Sequence, residues 1–288
     1  MSLPPDLARR LQAILESPTY RLAYEDPDLP GDDIQRARRL QLELLRPERA
    51  LRDEGIDSTV VVFGSARVTD ADTAQARLAA LERGVGEAPG NVALARALGL
   101  AKRRVVQARC YEQARRFARL ISLRFQQEER KDFVVVTGGG PGIMEAANRG
   151  ACEVGARSIG FNITLPREQV PNPWITPELA FRFNSFAMRK MHFLMRARGL
   201  VVFPGGYGTM DELFEVLTLI QTGKMAPIPV VLAGRSFWSR AVDFDYLVDE
   251  GYIEPADSVL FTCVDEAEEV VAALERFHGG QGPVGPST

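Results

Sequence analysis

Twice in this chain a short β-branched apolar run breaks into glycines and leaves them as a helix, and that repeated unit limits the possible folds more than any other feature. Leu200 to Phe203 runs into Pro204-Gly205-Gly206-Tyr207-Gly208, and from Thr209 the apolar residues Met210, Leu213, Phe214 and Leu217 fall at helical spacing. Phe133 to Val136 runs in the same way into Thr137-Gly138-Gly139-Gly140-Pro141-Gly142 and a helix from Ile143. Runs without polar alternation read as strands buried on both faces, which is what a parallel sheet covered by helices requires. Ser58–Phe63, Ser158–Ile163, Phe181–Phe183, Ile228–Leu232 and Val259–Cys263 supply further strands, with helical stretches between them. The predicted class is α/β, an open, Rossmann-like parallel sheet flanked by helices, with its glycine turns gathered at one edge.

Glycine lets a ligand approach the backbone at Gly205, Gly206 and Gly208, and a new helix aims its free N–H groups at whatever sits there. A phosphate suits such a place. Acids follow both turns, however: Asp211 and Glu212 after one, Glu145 after the other. Carboxylates beside a phosphate point to chemistry or to sugar hydroxyls; the plainer reading is that they complement the helix dipole. The first strand ends in Gly64-Ser65-Ala66-Arg67, where Ser65 could donate to a phosphate or ribose and Arg67 could pair with an anion, or the segment could be a plain turn. Gly138, Gly140 and Gly142 fail the dinucleotide fingerprint, because Ile143 stands where its third glycine belongs, and no Walker lysine is present. Arg189 and Lys190 lie near the start of a helix, where basic residues oppose the dipole, so an anion or plain solvation must account for them.

A net charge of −3 leaves no footprint for nucleic acid, and Lys102-Arg103-Arg104 lacks the interleaved aromatics of a nucleic-acid patch. No run reaches the length of a membrane helix and no signal peptide opens the chain, so a cytoplasmic protein without membrane partners is expected. Two histidines and three scattered cysteines, Cys110, Cys152 and Cys263, argue against a metal site or a disulfide framework; the cysteines read as buried thiols. Three regions are expected: a helical extension over 1–55, a catalytic body over 56–278 and a disordered Gly/Pro-rich tail over 279–288. The extension places Leu7, Leu11, Ile14 and Leu15 on one face, and a Pro/Asp/Gly-rich break from Asp26 to Asp33 precedes a second helix over Ile34–Leu51. Ala71–Arg130 reads as two helices, the second starting near Asn91 with Val105, Cys110, Phe117 and Ile121 inward. Met188, Met191, Phe193, Leu194 and Met195 read as the core face of the helix that carries Arg189.

Pro204-Gly205-Gly206-Tyr207-Gly208-Thr209-Met210-Asp211-Glu212 resembles the PGGxGTxxE motif of the LOG family, nucleoside 5'-monophosphate phosphoribohydrolases long labelled lysine decarboxylases. Gly64-Ser65-Ala66-Arg67, the Gly138–Ala151 turn, Leu165-Pro166-Arg167-Glu168-Gln169, Met188-Arg189-Lys190 and Leu217–Lys224 extend the likeness, which is closest to the longer bacterial branch. The resemblance implies hydrolysis of the N-glycosidic bond of a purine nucleoside 5'-monophosphate, AMP or a cytokinin riboside 5'-monophosphate, without a cofactor. It implies Arg189 and Glu212 as the catalytic pair, and Gly205, Gly206, Gly208 and Thr209 around the phosphate. Ser65 and Glu145 would line the ribose and base side, and Gly64, Gly139, Gly140 and Lys190 would complete the substrate contacts. It also implies a homodimer or higher homo-oligomer. Pyridoxal-dependent lysine decarboxylation would need a Schiff-base lysine, for which Lys190 alone is placed. A molybdenum-cofactor carrier or a nucleotide sensor without turnover is the non-enzymatic alternative.

Overall fold

The computed structural model describes residues 4–22, 36–126, 131–165 and 170–280. Two helices, α1 (Pro5–Glu16) and α2 (Arg36–Asp53), lead into β1 (Thr59–Phe63). After it come α3 (Ala71–Glu87), α4 (Val92–Phe125), β2 (Val134–Thr137), α5 (Ile143–Cys152), β3 (Ser158–Ile163) and β4 (Ala180–Phe183). The remainder is α6 (Phe186–Met195), β5 (Ala197–Val202), α7 (Tyr207–Gln221), β6 (Val230–Ala233), α8 (Arg235–Ala241), α9 (Phe244–Asp249), β7 (Phe261–Val264) and α10 (Ala267–Phe277). The strands form one sheet in the order β4-β3-β2-β1-β5-β6-β7, every neighbouring pair parallel. The predicted α/β class is thus borne out.

Parallel pairing makes both faces of the sheet interior, which is why the strands carry so few polar residues. Alternate residues serve the two sides. Val60, Val62, Val135, Val201 and Val231 pack with Phe117, Ile121, Ala147 and Leu274 of α4, α5 and α10. Val61, Val134, Val136, Leu200 and Val202 pack with Phe193, Leu213, Val216 and Trp238 of α6, α7 and α8. The period of 2 along each strand therefore yields a helix–sheet–helix sandwich. Ile14 of α1 is buried with Tyr20 against Ile175 and Ala180, and Leu51 of α2 joins the core beneath α6. The N-terminal helices are packed onto the sheet body at both places.

Several expectations need correction. Leu15 is 44% exposed, since Ile14 alone of that face enters the core. Met191 and Met195 also face outward, leaving Met188, Phe193 and Leu194 as the packing side of α6. The three cysteines are half-buried rather than buried. Val259 lies in a 3-10 turn before the last strand and is exposed. The expected break at Asp26–Asp33, most of Leu165–Gln169 and residues 281–288 of the tail lie outside the described residues.

Candidate active site

Because the sheet is wholly parallel, the carboxyl ends of β1, β2, β3 and β5 meet at one edge. The order reverses between β1 and β5, whose following segments leave toward opposite faces, and the crevice opened there is where ligands enter such sheets. The three glycine turns are joined at this point. Ser65 N–H donates to the Pro204 carbonyl at 3.0 Å, and Ile143 N–H donates to the Ser65 carbonyl at 3.1 Å. A side chain at Gly64 would run into Ile143. Gly142, at φ +75°, presses against the Ser65 carbonyl and Ala66, so only glycine fits there. The Ser65 hydroxyl accepts from Arg67 N–H at 3.1 Å, a local turn that leaves its own proton free.

The two flanking turns differ in kind. At the PGG turn, Gly206 caps α7 without any side-chain partner, and added carbons at Gly206 or Gly208 would meet nothing within 4 Å. Open N–H groups therefore face outward at the positive end of a 15-residue helix. Gly205 has another reason to be glycine, since the buried Thr209 side chain fills the space beside it. At the GGG turn, Gly138, Gly139 and Gly140 are buried and internally engaged. Gly139 N–H donates to the Thr137 hydroxyl at 2.9 Å and its carbonyl accepts from Asn172 N–H at 2.8 Å, while Gly140 accepts from the Asn172 amide at 3.0 Å. Asn162 abuts Gly139, and the Arg189 guanidinium lies against Gly138.

The structure starts α7 at Tyr207, two residues before the expected point, and this moves Asp211 and Glu212 into its second turn. The helix-dipole account of these acids loses force there, because the dipole acts within the first turn. Asp211 has a partner: Lys190 Nζ lies 2.8 Å from Asp211 and 3.0 Å from Glu215. The anion that Lys190 answers to is thus this pair of carboxylates on the neighbouring helix. Glu212 is different. It is 8% exposed, accepts no hydrogen bond from any described residue, and has Arg189 and Lys190 within electrostatic reach. Burial raises its pKa from the ordinary 4.5 to about 7, against which the charges of Arg189 and then Lys190 act only in part. A carboxyl group poised near neutrality, without a structural partner, can serve as base or acid.

Arg189 is held from three sides. Its Nε donates to the Phe161 carbonyl at 2.7 Å, its guanidinium lies 5.2 Å from the Phe193 ring centroid, and its tip rests on Gly138. Burial lowers its pKa and Glu212 opposes the shift. The two are coupled electrostatically without a direct ion pair. Glu145, in the first turn of α5, sits apart beside Tyr111, whose hydroxyl donates to it at 3.0 Å. Burial raises the Glu145 pKa, and the bond from Tyr111 opposes that.

Sequence reasoning missed Glu43. This α2 carboxylate, 5% exposed, accepts from the N–H groups of Asn184 and Ser185, each at 3.1 Å, and so caps α6 from a distant part of the chain. Its carbonyl also meets His192 Nε2 at 3.0 Å. Helix α6 bears Arg189 and Lys190, so α2 helps to aim them. Glu43→Ala is expected to lower stability by about 2 kcal/mol and Glu43→Gln by roughly half of that, since Gln keeps one acceptor. Urea unfolding reads this directly, and unchanged midpoints would remove Glu43 from the role.

Fold and edge together define the class: an all-parallel, Rossmann-like α/β protein with an open helix N-terminus and an unpartnered buried acid at its switch point. Comparison with known proteins carries this further. Residues 144–274 match the family described as "Possible lysine decarboxylase". The cytokinin riboside 5'-monophosphate phosphoribohydrolase LOG7 of Arabidopsis thaliana is 29% identical over 153 residues, 52% of this chain and 69% of that protein. The probable phosphoribohydrolase LOGL3 of Oryza sativa subsp. japonica is 26% identical over 152 residues, covering 50% and 68%. These matches agree with the likeness to the LOG family that the motifs suggested. A solved molybdenum cofactor binding protein from Rippkaea orientalis aligns with 76% of this chain and 95% of its own, at 15% identity and a TM-score of 0.45. Among the described residues, no helix is long and apolar enough to cross a membrane.

Proposed function

We propose that this protein hydrolyses the N-glycosidic bond of a purine nucleoside 5'-monophosphate, AMP or a cytokinin riboside 5'-monophosphate, to free base and ribose 5-phosphate. The observation that carries the reading is Glu212, a buried acid with no structural partner and a pKa of about 7, set beside Arg189 and behind the open N-terminus of α7. The phosphate would bind the free N–H groups at Gly206 and Gly208, where neither charge nor side chain obstructs it. As the bond from the anomeric carbon to the base breaks, the sugar gains cationic character, and an ionised Glu212 stabilises it electrostatically. The same carboxylate takes a proton from the water that adds to that carbon, and the departing base takes up a proton in turn. Arg189 offsets negative charge on phosphate or base. Phosphate binding away from the reacting carbon supplies energy that is spent in the transition state.

Decarboxylation, the chemistry in the family's description, would ask for a lysine free to form a Schiff base. Lys190, the lysine at this edge, is engaged by Asp211 and Glu215. The deciding experiment incubates the protein with a panel of nucleoside monophosphates and resolves the products by chromatography. Adenine or an N6-substituted adenine released together with ribose 5-phosphate is the expected outcome. Intact nucleotides throughout the panel would sink the reading.

A further inference from the structure

Helices α3 and α4 form a hairpin that reaches beyond the sheet. Tyr111 of α4 is level with the first turn of α5 through its bond to Glu145, while Gly150, near the other end of α5, presses on the Arg115 carbonyl. The part of α4 before Tyr111 therefore rises past the carboxyl edge for about 28 Å. Helix α3 lies antiparallel along it. A side-chain carbon at Gly84 would stand 3.9 Å from Leu94, and counting down both helices from that contact sets Arg77 beside Ala101 and Ala74 beside Arg104.

Three arginines converge near the base of this hairpin. Arg104 is half-buried on the stripe of α4 that also holds the buried Ala101 and Ala108, so it faces α3. Arg77 lies one turn from the buried Ala74. Side chains lean toward the N-terminus of their own helix, so in an antiparallel pair these two lean toward each other. Arg67, exposed in the turn after β1, reaches up from three residues before the Asp70 cap of α3. Burial, and after it the charges of Arg67 and Arg77, lower the Arg104 pKa.

Such a cluster is costly unless an anion answers it. Lower on α4, Arg109, Arg116 and Arg124 are paired with Glu266, Glu268 and Glu275 at α10. Among the described residues, no carboxylate pairs with Arg67, Arg77 or Arg104, and residues 92–111 hold five cations and no acid. Asp70, close by, is spent on the N–H and hydroxyl of Thr73. Gln107 accepts from Arg104 at 3.0 Å and steadies its guanidinium without neutralising it.

We propose that Arg67, Arg77 and Arg104 bind a ligand carrying a chain of two or more phosphate groups, whether a nucleoside polyphosphate or an inorganic one. Two of the arginines stand on helices whose axes are about 8–10 Å apart, a spread wider than one phosphate covers, and each planar fork can take two phosphate oxygens. The site lies two turns of α4, about 10 Å, outside Tyr111, so it is separate from the reaction centre. It stands whether or not the hydrolase reading does.

The test is calorimetry in magnesium-free buffer with tripolyphosphate, ATP and orthophosphate as probes. One equivalent of tripolyphosphate or ATP is expected to bind, at least a hundredfold more tightly than orthophosphate. Arg77→Ala, at an exposed position where the fold is safe, and Arg104→Ala should each raise the Kd at least tenfold. Arg96→Ala, farther out on the same acid-free stretch, should change it less than twofold. Tighter binding of ATP would assign the site to a nucleotide, and equal binding to the phosphate chain alone. The proposal is overturned if neither probe binds, if Arg77→Ala leaves the Kd unchanged, or if Arg96→Ala costs as much as the cluster variants, which would mean general surface charge.

Discussion

Glu212→Gln is expected to slow the release of free base about a thousandfold or more, to leave nucleotide affinity within a few-fold of the parent, and to make the protein more stable above neutral pH. The first effect follows from removing the charge that meets the developing cation and the base that activates water, a loss of about 4 kcal/mol in transition-state stabilisation. Affinity is spared because the phosphate is held by N–H groups of α7. Stability rises because the native carboxyl, with its pKa raised from 4.5 to about 7, resists ionisation more than the unfolded chain does. Below pH 4.5 both states are protonated and the residue costs nothing. Between 4.5 and 7 the unfolded state loses its proton first, and the cost grows with pH until it is complete above 7. Its ceiling is about 3 kcal/mol. The variant should therefore show a Tm several degrees above the parent at pH 8 and the same Tm at pH 4. For the parent, kcat/KM should climb with pH to a plateau above about 7, because the ionised form does the work. Full turnover in the variant, or a flat pH profile in the parent, would take Glu212 out of the mechanism.

Arg189→Ala is expected to reduce kcat/KM by about a hundredfold or more, raising KM and lowering kcat together, since the guanidinium lies where an anion would gather its charge. It should leave a second mark. Arg189 is the larger of the two cationic influences that hold the Glu212 pKa down. Without it, the inflection of the residual activity should move to higher pH. A drop in rate with the inflection unmoved would assign Arg189 to substrate binding alone and break the proposed pairing. The fold should survive the change, because a buried guanidinium whose fixed polar contact is the Phe161 carbonyl adds little net stability.

Most of the fold was legible in the sequence because parallel strands are buried on both faces and announce themselves as unbroken apolar runs. Val60, Val61 and Val62 show no alternation at all, and the glycines that end such runs mark the carboxyl edge. What could not be read is what depends on partners far along the chain. Glu43 looks like one more acid in a charged helix; nothing local says that it caps α6, some 140 residues later. The Lys190 contacts with Asp211 and Glu215 also arise only when α6 and α7 lie side by side. Within the site, the glycines were legible as a group but not by task. Gly206 and Gly208 are open to a visitor, whereas Gly64, Gly138, Gly139 and Gly205 are glycines because Ile143, Arg189, Asn162 and Thr209 occupy the space beside them. The start of α7 was misplaced because Tyr207 and Gly208 carry no helical periodicity; the helix there is set by the turn that precedes it.

The strand order sets a limit on how this protein could be shortened. The stretch shared with the family, 144–274, contains β3 through β7, yet β1 and β2 stand between β3 and β5. A fragment cut to that stretch would own a two-stranded piece and a three-stranded piece with nothing to bridge them, each with a raw apolar edge inviting intermolecular pairing. The middle of the sheet is thus contributed by strands that lie before the matched stretch.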